Sequence, residues 1–172
     1  PLVGDEEFEA VKSVLQSGYY ASGDKVKEFE NAFARYIGSE YAVAMNSGTA
    51  ALIIALQAIG IKEGDEVIVP PLTFFATISS VLYHRAVPVF ADIDSDDLCL
   101  SPEDTDRKIT SKTKAIIPVH LFGNNSNIEI IKNICIKYNI KIIEDVAQAF
   151  GSGTKNDIKL GSIGDMGAFS FF

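Results

Sequence analysis

The sequence predicts an α/β domain with a mostly parallel central sheet, and three of its features carry that expectation. Short runs of consecutive apolar, often β-branched residues recur along the chain, at Glu66 to Pro71, Pro88 to Ile93, Ala115 to Gly123 and Ile140 to Ile143. A strand with so little polar alternation needs cover on both faces. Between these runs lie stretches with apolar residues at helical spacing, so that strands alternate with helices as in right-handed βαβ crossovers. The chain has 172 residues, 47% of them hydrophobic, which is enough for one sizeable core and requires no second.

Taken in order, Asp5 to Gln16 carries Phe8, Val11, Val14 and Leu15 as a helical stripe that stops at Ser17-Gly18, and Tyr19 to Asp24 reads as a loop. A second helix follows with Val26, Phe29, Phe33, Tyr36 and Ile37 on one face and Gly38 ending it. Tyr41 to Met45 is expected as a strand, Asn46 to Ala50 as a turn of small residues and Ala51 to Gly60 as a helix. After the strand at Glu66 a helix begins near Thr73, and after the strand at Pro88 come an acidic loop and a short polar helix. Asn127 to Tyr138 is a helix leading into the strand at Ile140, and Met166 to Phe172 reads as a further strand, central in its sheet. The expected organisation is the larger part of one domain over 1–172, with N-terminal helices in 1–38 and an α/β core in 39–172.

A formal charge of −8 with scattered Lys and Arg argues against nucleic acid or an anionic membrane as partner. No charged-then-apolar leader and no apolar run near the ~20 residues of a membrane span is present, so the expectation is a soluble, cytoplasmic protein. Cys99 and Cys135 have no metal-like spacing and are read as reduced fillers.

Ligands in parallel sheets collect beyond the carboxyl ends of the strands. The run KIIEDVAQAFGS delivers Glu144, Asp145 and Gln148 to such an end. A carboxylate there serves as an N-cap, a metal ligand or the partner of a protonated heterocyclic nitrogen. The turn NSGTA lies between a strand and a helix, so the amides of Gly48, Thr49 and Ala50, with the Ser47 and Thr49 hydroxyls, form a ready anion site; the plainer reading is an N-cap. Phe74 and Phe75 offer one ring to stack on a planar ligand and one to pack inward.

Other patterns lead nowhere. Asp92, Asp94, Asp96 and Glu103 fall at calcium-loop positions, but Asp97 stands where glycine is needed and no helix precedes, so no metal is expected. Gly151 to Asn156 lacks the third glycine of a nucleotide loop and reads as a turn. His84 reads as a helix-end residue, and His120, at a strand's carboxyl end, as a candidate for lining the cleft.

Together NSGTAAL, GDEVIVPPLTFFAT, PVFADID, TKAIIPVHLFG, IIEDVAQAFGS and GDMGAFSFF resemble the DegT/StrS family of pyridoxal 5'-phosphate (PLP) dependent sugar aminotransferases. The resemblance runs over nearly the whole chain. It implies the three-layer large domain of fold type I, ending before the C-terminal small domain. It further implies that Gly48, Thr49 and Ala50 bind the cofactor phosphate with Ser170 adding a contact. Phe74 would stack on the ring, Asp145 pair with the ring nitrogen and Gln148 sit beside the ring hydroxyl. The lysine that holds the cofactor covalently is expected beyond Phe172, since neither Lys155 nor Lys159 matches its motif, and the 172 residues alone are expected to be inactive. The implied reaction moves an amino group, from glutamate in most of the family, to a keto group of a nucleotide-linked sugar, in a homodimer. A keto-sugar 3-dehydratase of the same family, with His in place of that lysine, and a non-catalytic PLP-binding regulator are the alternatives.

Overall fold

The computed structural model describes residues 2–172; Pro1, part of the expected helical segment 1–38, lies outside the described residues. The chain divides into two compact units, one ending at Ala44 and the other running from Met45 to Phe172.

The first unit holds α1 (Asp5–Ser17) and α2 (Asp24–Ile37), close to the expected bounds. Each stops at a glycine whose left-handed backbone (Gly18 φ 75°, Gly38 φ 85°) is open to few other residues. Ala34 and Ile37 of α2 are buried, whereas the α1 stripe of Phe8, Val11 and Leu15 is exposed. The expected strand at Tyr41 to Met45 does not form. A strand exists only by pairing, and the Ala44 N–H donates to Glu30 Oε1 at 2.8 Å instead of to another strand.

The second unit is an α/β core. Its strands are β1 (Glu66–Val69), β2 (Val87–Phe90), β3 (Thr113–Ile116), β4 (Lys141–Asp145) and β5 (Met166–Ala168), its helices α3 (Gly48–Ala58), α4 (Phe75–Tyr83), α5 (Pro102–Lys108) and α6 (Ile128–Tyr138). The strands form one sheet in the order β2-β1-β3-β4-β5, and every neighbouring pair is parallel. The run Ala115 to Gly123 is a strand only to Ile116; beyond Pro118 it becomes a 3₁₀ turn at Leu121–Gly123. β5 is shorter than expected and is the last strand in the order of the described sheet. Among the described residues no helix is long and apolar enough to cross a membrane.

Strand side chains alternate between faces, and the core divides accordingly. Val67, Val69, Ala115, Ile117 and Ile143 pack with Leu52 and Leu56 of α3 and Val81 of α4. Ile68, Ile116 and Ile142 pack on the other face with Ile131 and Cys135 of α6. Helices thus cover both faces of the sheet, giving three layers. By the same alternation Asp145 follows Ile143 to the α3/α4 side, while Glu144 follows Ile142 to the opposite side.

Candidate active site

Asp145 ends β4 and is 6% exposed. Its Oδ2 accepts the Thr77 hydroxyl at 2.8 Å, and its Oδ1 accepts the Ala147 N–H at 3.2 Å. Burial pushes the carboxyl above its ordinary value, against the pull of those two hydrogen bonds. The ionised form of a carboxylate so buried is favoured by a positive partner.

The N-terminus of α3 lies nearby in the same layer. Ser47 caps it: its Oγ accepts the Ala50 N–H at 3.1 Å and its carbonyl accepts Ala51 N–H. The amides of Gly48 and Thr49 are left without a partner among the described residues. The plain N-cap and the anion site therefore coexist, with Ala50 serving the cap. Gly48 touches the segment after β5: a Cβ there would stand 2.8 Å from Ser170 Cβ and 3.4 Å from the Phe169 carbonyl. Asp145 pairs with Ala168 in the sheet, so Ser170 lies just past the strand end beside Asp145. The open amides, the Ser170 hydroxyl and the Asp145 carboxylate thus belong to one end of one sheet.

Phe74 caps α4 in extended backbone and is 74% exposed. Phe75, expected to pack inward if Phe74 did not, is itself 64% exposed, because the inward face of α4 is filled by Thr77, Ser80 and Val81. Gln148 is exposed, and its Oε1 accepts the Phe122 N–H at 3.1 Å. That bond leaves the Gln148 NH₂ group as the end able to donate to a ligand oxygen.

Glu144 is not part of this group. It is fully buried on the other face, where Oε1 accepts the amide N–H groups of Ile163 and Gly164 at 2.7 Å each and Oε2 accepts the Gly161 amide at 2.8 Å and the His120 ring Nε2–H at 3.0 Å. The Ser126 N–H points at His120 Nδ1, which must therefore accept, so Nε2 carries the proton that Glu144 receives. Burial pushes the Glu144 carboxyl up, but the hydrogen bonds from His120, Gly164 and Gly161 outweigh it and hold it below the usual carboxylate range. Its task is to fasten the 161–164 loop beneath β5, where backbones come so close that a Cβ on Gly167 would stand 2.5 Å from the Gly161 carbonyl. His120 is wholly buried and lines no cleft, while His84 caps the end of α4 and bonds the Ile53 carbonyl.

The sequence reading assigned nothing to Thr77, although its spacing of four from Thr73 puts both hydroxyls on one side of a helical turn. Lys155 is exposed and the Lys159 ammonium donates to the Gly151 carbonyl at 3.3 Å. The donor set fits PLP: open helix-terminal amides for a phosphate, a buried carboxylate for a pyridinium, an aromatic ring in solvent and an amide NH₂ group.

A sequence profile of the DegT/DnrJ/EryC1/StrS aminotransferase family matches residues 1–172. The spore coat polysaccharide biosynthesis protein SpsC of Bacillus subtilis is 43% identical over the whole chain, which spans 44% of SpsC. An aminotransferase from Psychrobacter cryohalolentis superposes with a TM-score of 0.94 at 44% identity, over 99% of this chain and 44% of that one. An E. coli GDP-4-keto-6-deoxy-D-mannose-3-dehydratase with bound hydrated PLP superposes with a TM-score of 0.94 at 34% identity, over 100% of this chain and 46% of that one. The chain therefore spans under half the length of these relatives, and its fold is that of the fold type I PLP enzymes.

Proposed function

The chain belongs to the DegT/DnrJ/EryC1/StrS aminotransferase family, and on that premise we propose that it is the cofactor-binding part of a PLP-dependent aminotransferase acting on a nucleotide-linked keto-sugar. The observation that carries the reading is the meeting of the open Gly48 and Thr49 amides, Ser170 and the buried Asp145 at one end of the sheet. PLP, when bound, supplies an electron sink for the carbon that loses its proton. This chain's residues bind and tune it. The α3 amides and the Ser170 hydroxyl hold the phosphate, with the helix N-terminus favouring its charge. Phe74 covers a face of the ring, and the Gln148 NH₂ donates to the ring oxygen. Asp145 keeps a proton on the ring nitrogen. The amino donor is an amino acid, glutamate by analogy with the family, the working form is a homodimer, and the compartment is the cytoplasm.

A second reading is favoured by one observation, the equally close superposition of the E. coli 3-dehydratase. Identity is 44% to the Psychrobacter aminotransferase and 34% to the dehydratase, which tips the choice to amino transfer. The full-length polypeptide incubated with PLP, glutamate and a keto-sugar nucleotide tests it. Amino sugar with equivalent 2-oxoglutarate is expected. A deoxy sugar would establish dehydration instead, and no PLP uptake would overturn both readings.

A further inference from the structure

Three threonine and serine hydroxyls lie on α4. Ser79 and Ser80 donate back to carbonyls of their own helix, Ala76 at 3.3 Å and Thr77 at 2.9 Å, as such residues ordinarily do. Thr77 does not. Its hydroxyl, wholly buried, leaves the helix and reaches Asp145 Oδ2 at 2.8 Å on β4, 68 residues away in sequence.

The direction of the bonds follows from counting protons. A hydroxyl has one, and an ionised carboxylate only accepts, so the Thr77 proton goes to Asp145. The Thr73 hydroxyl, 2.8 Å from the Thr77 oxygen, is then the donor of that pair. A chain runs from Thr73 through Thr77 to Asp145 Oδ2, while the Ala147 amide holds Oδ1. Both carboxylate oxygens are fixed in orientation, and each keeps a lone pair for a ligand. A chain of hydrogen bonds with one direction also polarises its members, which favours the charged end.

We propose that Thr77 is a positioning residue, which through the Thr73–Thr77–Asp145 chain holds the Asp145 carboxylate ionised and aimed at the ring nitrogen of the cofactor. The inference rests on the reading of Asp145 given above. It assigns to a buried helix hydroxyl a part of the cofactor's electronics that a merely space-filling residue would not have.

The experiment is equilibrium dialysis of the full-length polypeptide against PLP and against an analogue in which CH replaces the ring nitrogen. Thr77→Val keeps the shape of the side chain and removes the donor. It is expected to raise the Kd for PLP about tenfold, as expected for a lost hydrogen bond to a charged group, and to leave the analogue's Kd within about twofold. Thr77→Ser, which keeps the hydroxyl, is expected to restore PLP binding. Thr73→Val, which removes only the outer donor of a half-buried pair, is expected to weaken PLP in the same direction by less, and stands in should Thr77→Val not fold. Equal weakening of both ligands would make Thr77 structural only and overturn the proposal, as would unchanged PLP binding in both Thr77→Val and Thr73→Val. Asp145→Asn separates the layers. If it weakens PLP while the threonine variants do not, only the Thr77 inference fails; if it leaves PLP binding unchanged, the reading of Asp145 fails and the inference with it.

Discussion

Replacing Glu144 by Gln changes one oxygen to NH₂ and should loosen the 161–164 loop severely. In the protein, four donors converge on the carboxylate: the amides of Gly161, Ile163 and Gly164 and His120 Nε2. None of them can turn into an acceptor. The three amides are backbone, and the His120 tautomer is locked because Ser126 N–H occupies Nδ1. Whichever way the glutamine amide faces, its NH₂ group meets two donors, either Ile163 and Gly164 or Gly161 and His120. Two buried donors left unsatisfied at ~1–3 kcal/mol each, with the loss of charge from the remaining bonds, put the cost at about 3–5 kcal/mol. Native-state hydrogen exchange on the full-length polypeptide reads this locally: the Gly161, Ile163 and Gly164 amides should exchange about 100-fold faster or more in the variant. The pH dependence has a fixed sign. A carboxyl held below its unfolded value contributes stability that is present above that value, about 4.3 for Glu, and is lost as pH falls through the lower folded value. Wild-type protection should therefore decline below about pH 4 and the variant should lack that slope. Exchange accelerated less than about fivefold, under 1 kcal/mol, would refute the view of Glu144 as the loop's fastening.

Further outcomes follow from other sites. Asp145→Asn should leave folding nearly intact yet lower turnover of the full-length polypeptide by orders of magnitude; near-normal turnover in a coupled assay for 2-oxoglutarate would remove Asp145 from the mechanism. Gly48→Ala puts a Cβ 2.8 Å from Ser170 Cβ, so one of the two segments proposed to hold the phosphate must move, and the Kd for PLP should rise about tenfold. Cys99 and Cys135 are buried, and burial pushes their thiols up to about 11 and about 12. Neither should react with a disulfide reagent at pH 8 faster than the chain opens, and rapid labelling of the native protein would contradict their placement in the core.

The sequence made the layered sheet legible because buried parallel strands write themselves as unbroken apolar runs, and the runs at Glu66, Pro88, Ala115 and Ile140 all contain strands. What it left unreadable depended on partners. Tyr41 to Met45 has the composition of a strand but no neighbour to pair with among the described residues, and the Phe169 to Phe172 end of the last run passes beyond the sheet. Pairing is a property of two segments, and one segment's residues do not declare it. The sequence also delivered Glu144, Asp145 and Gln148 to one place. The two-residue period of a strand already forbids Glu144 and Asp145 from sharing a face, and the alternation of Ile142 with Ile143 shows which side each takes. Thr77 was legible as a position, four residues from Thr73, but its bond to Asp145 spans the gap between α4 and β4 and needs the fold to appear.

The two neighbouring carboxylates show how one strand end divides structure from chemistry. Glu144 receives four fixed donors, so its charge is fully met by the protein and its carboxyl lies below the ordinary range. It needs nothing more and offers nothing. Asp145, nearly as buried, receives two donors and its carboxyl lies above the ordinary range. A raised folded value means stability present below the unfolded value and lost as pH rises through the folded one, so the ionised form of Asp145 is one the protein only partly satisfies. Asparagine relieves that cost without leaving an unmatched group, because its oxygen can keep the Ala147 N–H while the Thr77 hydroxyl rotates to accept from its NH₂ and donate to Thr73. The same exchange is forbidden at Glu144, where the donors are fixed. In the proposed function a protonated ring nitrogen would supply the positive charge that the fold withholds from Asp145, so the burial that disfavours the lone carboxylate would strengthen that pairing. Four donors that cannot turn thus fix Glu144 as a carboxylate, whereas Asp145, held by one backbone amide and one hydroxyl free to rotate, keeps lone pairs that the protein does not fill.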